Sequence, residues 1–199
     1  MAQTAAKRSV GRPREFDEEA ALEAAMDAFW QKGFEATSLA DLCTCTGLHK
    51  GSLYQAFGDK HALFMRSLKH YADTEFKEGA AVILQHESPL EGIRALVREI
   101  CNYAAEGKGC LMINSMVELA PHDPEVKKAI QQEGQRRIRV VTELLARAQQ
   151  LGEIRADLVP EKLAQQLMIA LAGSAAMVKG LVTTDQVLEI LDGLIDYWV

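Results

Sequence analysis

The residues of this sequence whose types could do chemistry fall into three sets. The run TGLHKGSLYQAFGDKHALF, Thr46 to Phe64, crowds His49, Lys50, Tyr54, Lys60 and His61 around Gly51 and Gly58. In a chain of net charge -6, cationic and phenolic donors at that density raise the question of what they hold. Cys43, Cys45, Cys101 and Cys110 are candidate nucleophiles and metal ligands; His49, His61, His70, His86 and His122 are candidate bases. Cys43 and Cys45 lack the C-x-x-C spacing and the second pair that a zinc site needs. No histidine or cysteine stands in a recognisable nucleophile motif. The sequence therefore assigns no metal, no cofactor and no catalytic residue.

These residues must be positioned by helices. Aromatic content is low at 6%, Ala, Leu, Glu and Gln recur throughout, and no run of β-branched residues is bounded by turn signals. With 199 residues and 48% apolar content the chain can bury a substantial core, and the class expected is all-α. Leu22, Ala25, Met26, Phe29 and Trp30 step by three and four, which predicts a helix over residues 15–32 ended by Gly33. ATSLADLCTCTG then offers Thr37 or Ser38 as N-cap, with Asp41 completing a capping box and Gly47 as the stop. After Gly47, Leu48, Leu53 and Phe57 can face inward while Lys50, Ser52 and Gln55 face out. Two short helices joined by a tight glycine turn make a helix-turn-helix. A longer helix is expected from Lys60 towards Glu78, followed by helices over residues 89–106, 110–119, 124–151, 160–180 and 184–197. Pro89, Pro124 and Pro160 each suit a first helical turn.

Charge is segregated along the chain. Residues 1–14 carry Lys7, Arg8, Arg12 and Arg14 without an acid, whereas Glu15 to Asp27 holds six acids and no base. An acidic surface repels phosphate, which argues against indiscriminate coating of nucleic acid but permits a local basic site. No signal-peptide core opens the sequence and no window approaches a membrane-spanning length of apolar residues, so a cytoplasmic protein with free thiols and no membrane contact is expected.

From GRPREFDEEAALEAAMDAFWQKGFEATSLADL through TGLHKGSLYQAFGDKHALF, the chain resembles the N-terminal DNA-binding domain of the TetR/AcrR family of one-component transcriptional regulators. The resemblance implies a flexible basic arm over residues 1–14, a three-helix DNA-binding domain over 15–62 and a helical regulatory and dimerisation domain over 63–199. In a helix-turn-helix the second helix enters the major groove with its N-terminal turns near base edges, which makes Lys50, Ser52 and Gln55 the readers and Gly51 the point of close approach. By similarity to the family, Tyr54 and Lys60 would hold backbone phosphates, and Thr37 or Ser38 would cap the second helix beside another. His49 stands where the family has a small hydroxyl cap, and is either a weak cap or a phosphate or base contact. Arg12 and Arg14 resemble basic tails laid into the minor groove.

The family also implies a homodimer on a palindromic operator, most often a repressor, with the last two helices packing against their copies in a partner chain. Gly173, Ser174, Ala175 and Ala176 would permit that approach, within a face that includes Leu167, Leu171, Leu188, Leu191 and Ile195. The inducer is either a small molecule in an apolar pocket or an electrophile. GKGCLMINSMVELAPHDPEV resembles relatives in which a cysteine at this place senses electrophiles or oxidants, and Cys110, near Lys108 at a helix N-terminus, is the candidate. The rival readings are a cysteine-dependent enzyme and an interaction protein that does not bind DNA.

Overall fold

The computed structural model of the protein describes residues 16–104 and 109–199, and every regular element among them is an α-helix. Helix α1 (Glu18–Lys32) starts at Asp17, whose carboxylate accepts from the Glu19 and Ala20 amides, and ends at Gly33. It is followed by α2 (Leu39–Thr46) and α3 (Lys50–Phe57), eight residues each, and by α4 (Lys60–Ile83), capped by Asp59. Gly47 joins α2 to α3 in the left-handed region, φ 68° and ψ 10°. A side chain there would meet no atom within 4 Å, so backbone conformation alone is what asks for glycine.

The rest comprises α5 (Pro89–Ala104), α6 (Leu111–Glu118), α7 (Pro124–Gln150), α8 (Pro160–Met177) and α9 (Thr184–Asp196). Pro89, Pro124 and Pro160 are first residues of their helices, as the sequence predicts. Helix α4 runs past the expected end near Glu78. Its Gly79 lets Leu96 of α5 approach to 3.1 Å from where a Cβ would stand, so the last turn is supported by α5. Cys110 is the N-cap position of α6 rather than its first residue, and α8 and α9 each stop a little earlier than expected.

Two apolar clusters hold the helices. The first joins Phe29, Trp30, Leu42, Leu53, Phe57, Phe64, Leu68 and Tyr71 of α1–α4 to Leu111, Met112 and Leu119 at α6 and Val126 of α7. Its centre is aromatic: Phe29 lies edge-on to Phe64 at 5.2 Å, and Phe34 contacts both rings at 6.0 and 5.0 Å. The second joins Ile93, Val97 and Cys101 of α5 to Val141 and Leu145 of α7, Leu163 and Leu167 of α8, and Val187, Leu191 and Ile195 of α9.

That second cluster corrects the self-complementary face expected from the sequence. Leu167, Leu191 and Ile195 are fully buried within the protomer and cannot face a partner. The helical period is right but the phase is shifted. The outward stripe is Ile169, Gly173 and Met177 on α8, continued by Leu181 and matched by Ile190 and Tyr197 on α9 and beyond it.

Trp198 closes the second cluster: it is fully buried and its carbonyl accepts from the Arg155 amide at 2.8 Å. Trp198→Ala is expected to destabilise the fold by about 3–5 kcal/mol, read as a lower midpoint in urea denaturation followed by circular dichroism.

Candidate nucleic-acid interface

The face offered by α2, its turn and α3 is built on buried side chains. Leu42, Leu53 and Phe57 point into the first cluster, which leaves Lys50, Gly51, Ser52, Tyr54 and Gln55 exposed on the opposite side of α3. A Cβ at Gly51 would meet nothing within 4 Å, so the helix surface there is bare backbone. The Lys50 ammonium lies 5.6 Å from the Tyr54 ring centroid, within cation–π range, and Tyr54 remains 37% exposed. His49 takes the N-cap backbone position of α3 but its imidazole makes no capping hydrogen bond, leaving the ring exposed.

Ser38 is the cap of α2. Its hydroxyl accepts from the Asp41 amide at 3.1 Å, and the Asp41 carboxylate accepts from the Ser38 amide at 2.8 Å. The Lys32 ammonium, 2.5 Å from the same carboxylate, and then the Ser38 groups hold Asp41 well below the usual carboxylate range. Thr37, the other expected candidate, is corrected by the structure. It is fully buried, its hydroxyl donates to the Gly33 carbonyl at 2.6 Å, and it presents nothing to a ligand. Lys60 opens α4 half-exposed, its ammonium 4.4 Å from the Phe34 ring centroid. Arg12 and Arg14 lie outside the described residues.

Sequence reasoning missed the groups that hold this face in place. Arg66 of α4 donates to the Ala56 carbonyl at the end of α3, pairs with Glu18 at 2.6 Å and lies over the Phe57 ring. Glu118 at the end of α6 accepts from the Phe34 and Glu35 amides, and His61 pairs with Asp123 at 2.7 Å. Asp123 is held below its ordinary value by the Val126 amide and then by His61. Their partners are 48 to 84 residues away for Glu18 and Phe34, and no local motif announces them.

The candidate sensor sits elsewhere, between α4 and α6. Cys110 is half-buried, with the Tyr71 hydroxyl 3.6 Å from its sulfur. The preceding carbonyl, of Gly109, accepts from the Trp30 indole at 3.1 Å. Lys179, beyond the end of α8, reaches across Gly109 and donates to Asn114 at 2.6 Å. Burial, followed by the charge of the nearby Cys110, pushes the Tyr71 phenol up. Lys108, expected beside Cys110, lies outside the described residues. Cys101 is buried, and that burial pushes its thiol up to about 11. It lines a cavity of about 20 Å³ with Ile100, Leu171 and Val187, room for about one water. Met112 is core, whereas Met116 and Met177 are exposed. Among the described residues no group of three or more His, Cys, Asp and Glu could hold a metal ion, and no helix is long and apolar enough to cross a membrane.

Comparison with known proteins places this geometry. Residues 21–66 match the profile of bacterial regulatory proteins of the tetR family, and residues 89–191 match the tetracyclin repressor-like C-terminal domain. The chain is similar to the HTH-type transcriptional repressor ComR of Escherichia coli, 30% identical over 96% of this chain and 93% of that one. It is also similar to the repressor BdcR of the same organism, 36% identical over 59% of each. Among solved structures, a cysteine mutant of the TetR family regulator CifR in complex with 26-bp operator DNA superposes with a TM-score of 0.84 at 31% identity, covering 95% of this chain and 100% of that one.

Proposed function

This chain belongs to the TetR family of helix-turn-helix transcriptional regulators, and from that premise we propose that it is a repressor that binds a palindromic operator as a homodimer and is released by an inducer. The observation that carries the reading is the exposed face of α3 over a sealed core, in a chain whose similar relatives are a repressor and an operator-bound regulator. Family membership also removes the cysteine-dependent enzyme as an alternative.

In this reading Lys50, Ser52 and Gln55 meet base edges, and the bare backbone at Gly51 lets the helix approach them. Ser38, Tyr54 and Lys60 hold phosphates on either side, with His49 at the entry of α3 and Arg12 and Arg14 reaching the minor groove from the arm. The acidic remainder of the protein suppresses binding away from this face. Residues 15–62 form the reading head and residues 63–199 the regulatory and dimerising part.

Lys60→Ala is expected to weaken binding to all sequences and to lower the slope of log affinity against log salt by about one. Gln55→Ala should instead relax base preference, at about 1–3 kcal/mol for a lost good contact. Both are measured by fluorescence anisotropy on fragments selected from a random library. Unchanged binding in both variants would remove the assignment of α3 as the reading helix.

The dimer face is the stripe of Ile169, Gly173, Met177, Leu181, Ile190 and Tyr197. Ile169 and Leu181 are 74% and 75% exposed in the protomer, a cost in water that a second copy removes. The double variant Ile169→Glu, Leu181→Glu should sediment as a helical monomer with little operator affinity; a stable dimer would place the interface elsewhere.

The inducer is either an apolar molecule that widens the interior or an electrophile that modifies Cys110. The second is favoured by a half-buried sulfur at the N-cap position of α6, 3.6 Å from the Tyr71 hydroxyl. In a Cys45→Ser background, N-ethylmaleimide should label Cys110 and release operator. Cys101, with its thiol near 11, should stay unlabelled at neutral pH in intact-mass spectra. Adding Cys110→Ser should leave operator binding intact and abolish release. Release that persists would make the reversible ligand the better account.

A further inference from the structure

Ser38 caps α2, and both of its hydrogens are already committed. The hydroxyl donates to Asp41 Oδ2 at 2.5 Å and the amide donates to the same oxygen at 2.8 Å. A phosphate brought to this cap finds no free hydrogen on Ser38, and it meets a carboxylate three residues into the helix. Held well below the usual carboxylate range by Lys32 and then by Ser38, Asp41 is fully ionised at neutral pH. Its side chain is 31% exposed, so the charge acts on whatever approaches the cap. What the helix end does offer is the amides of Leu39 and Ala40, which have no acceptor within the helix. The positive charge must come from elsewhere.

Lys32 supplies it. This is the last residue of α1, its side chain 49% exposed and its ammonium 2.5 Å from Asp41 Oδ1. An ammonium carries three hydrogens, and Oδ1 takes one of them. Ser38 uses the other oxygen of the carboxylate, so Asp41 sets the lysine and the cap side by side. Exposed pairs of this kind are weak, and a phosphate can take up the remaining hydrogens without breaking the pair. Two residues after Lys32, the Phe34 ring carries the Lys60 ammonium at 4.4 Å. The turn that leads from α1 into α2 is therefore bordered by two ammonium groups, one from α1 and one from α4.

We propose that Lys32 is a DNA-binding residue: its ammonium contacts the backbone phosphate at the start of α2, held beside the Ser38 cap by Asp41. This rests on the operator-binding reading above and adds to it a cation that lies outside α2 and α3. A phosphate contact positions the protein and carries no base information, so Lys32 strengthens binding to any sequence alike.

The test uses full-length protein and a double-stranded fragment that the wild type selects from a random library, with binding followed by fluorescence anisotropy over a range of salt. Lys32→Ala should bind about ten-fold more weakly and lower the slope of log affinity against log salt by about one, with base preference unchanged. A lysine that merely cancels the charge of Asp41 would also weaken binding when removed, so a second variant separates the two roles. In Asp41→Gln the charge is gone while the cap stays closed. The same box at α9 is closed by a neutral side chain, where Gln186 accepts from the Thr183 amide at 2.9 Å. Asp41→Gln should bind at least as tightly as wild type, and adding Lys32→Ala to it should again cost about ten-fold in affinity and about one in slope. Lys69→Ala, which breaks the exposed pair with Asp73 on α4, should leave the slope unchanged. Should Asp41→Gln lose helicity by circular dichroism, Asp41→Asn decides on the same measurements. If removing Lys32 changes nothing once Asp41 is neutral, or if Lys32→Ala alters base preference, the proposal is overturned. A wild type that selects no fragment would instead overturn the operator-binding reading on which it stands.

Discussion

Helices of eight residues do not hold themselves in water, because nucleation costs more than so few hydrogen bonds return. The two that form the reading face, α2 and α3, exist because Leu42, Leu53 and Phe57 are buried against α1 and α4 around the Phe29–Phe34–Phe64 centre. Every other feature of the face follows from that dependence. Burying the three apolar side chains fixes which side of α3 looks out, and Gly47, by taking a left-handed conformation, sets the angle at which it leaves α2. Arg66 then secures the far end of α3 from α4, where the last carbonyls would otherwise lack donors.

The same aromatic cluster binds the head to the rest of the chain. Leu111, Met112 and Leu119 of the α6 region and Val126 of α7 complete it, so α1–α4 share their core with α6 and α7. Polar ties follow the apolar ones: Trp30 to Gly109, Glu118 to the turn after Gly33, His61 to Asp123. Helices α1–α4 and α6 therefore share one close-packed core.

Electrostatics act at two scales. The net charge of -6 keeps the bulk of the surface unfavourable to a polyanion. Locally the acids near the face are occupied: Asp41 by Lys32 and Ser38, Glu18 by Arg66, and Glu118 by backbone amides. Among the described residues Lys50, Tyr54 and Lys60 have no carboxylate partner, and the two ammonium groups lie over the Tyr54 and Phe34 rings instead. Such contacts leave an ammonium available, since a ring face does not neutralise its charge.

The local order of the chain was legible without coordinates. Periodicity, the Ser38–Asp41 capping box, Gly33 and Gly47 as stops and the three helix-starting prolines act over a few residues, and a sequence displays such short-range physics directly. The outward set Lys50, Ser52 and Gln55 was legible for the same reason, because the period of α3 is anchored by Leu53 and Phe57. Choices between near-equivalent neighbours were decided by the tertiary structure. Thr37 and Ser38 are both plausible caps, yet the inward position beside Gly33 claims Thr37 and leaves the capping role to Ser38. The C-terminal stripe has the expected period, but packing of α8 and α9 on α5 and α7 buries Leu167, Leu191 and Ile195 and turns Ile169 and Ile190 outward. Glu118 reads in sequence as one more surface acid. It acquires its partners only when folding brings the end of α6 to two amides some 84 residues earlier, a pairing that no local period encodes.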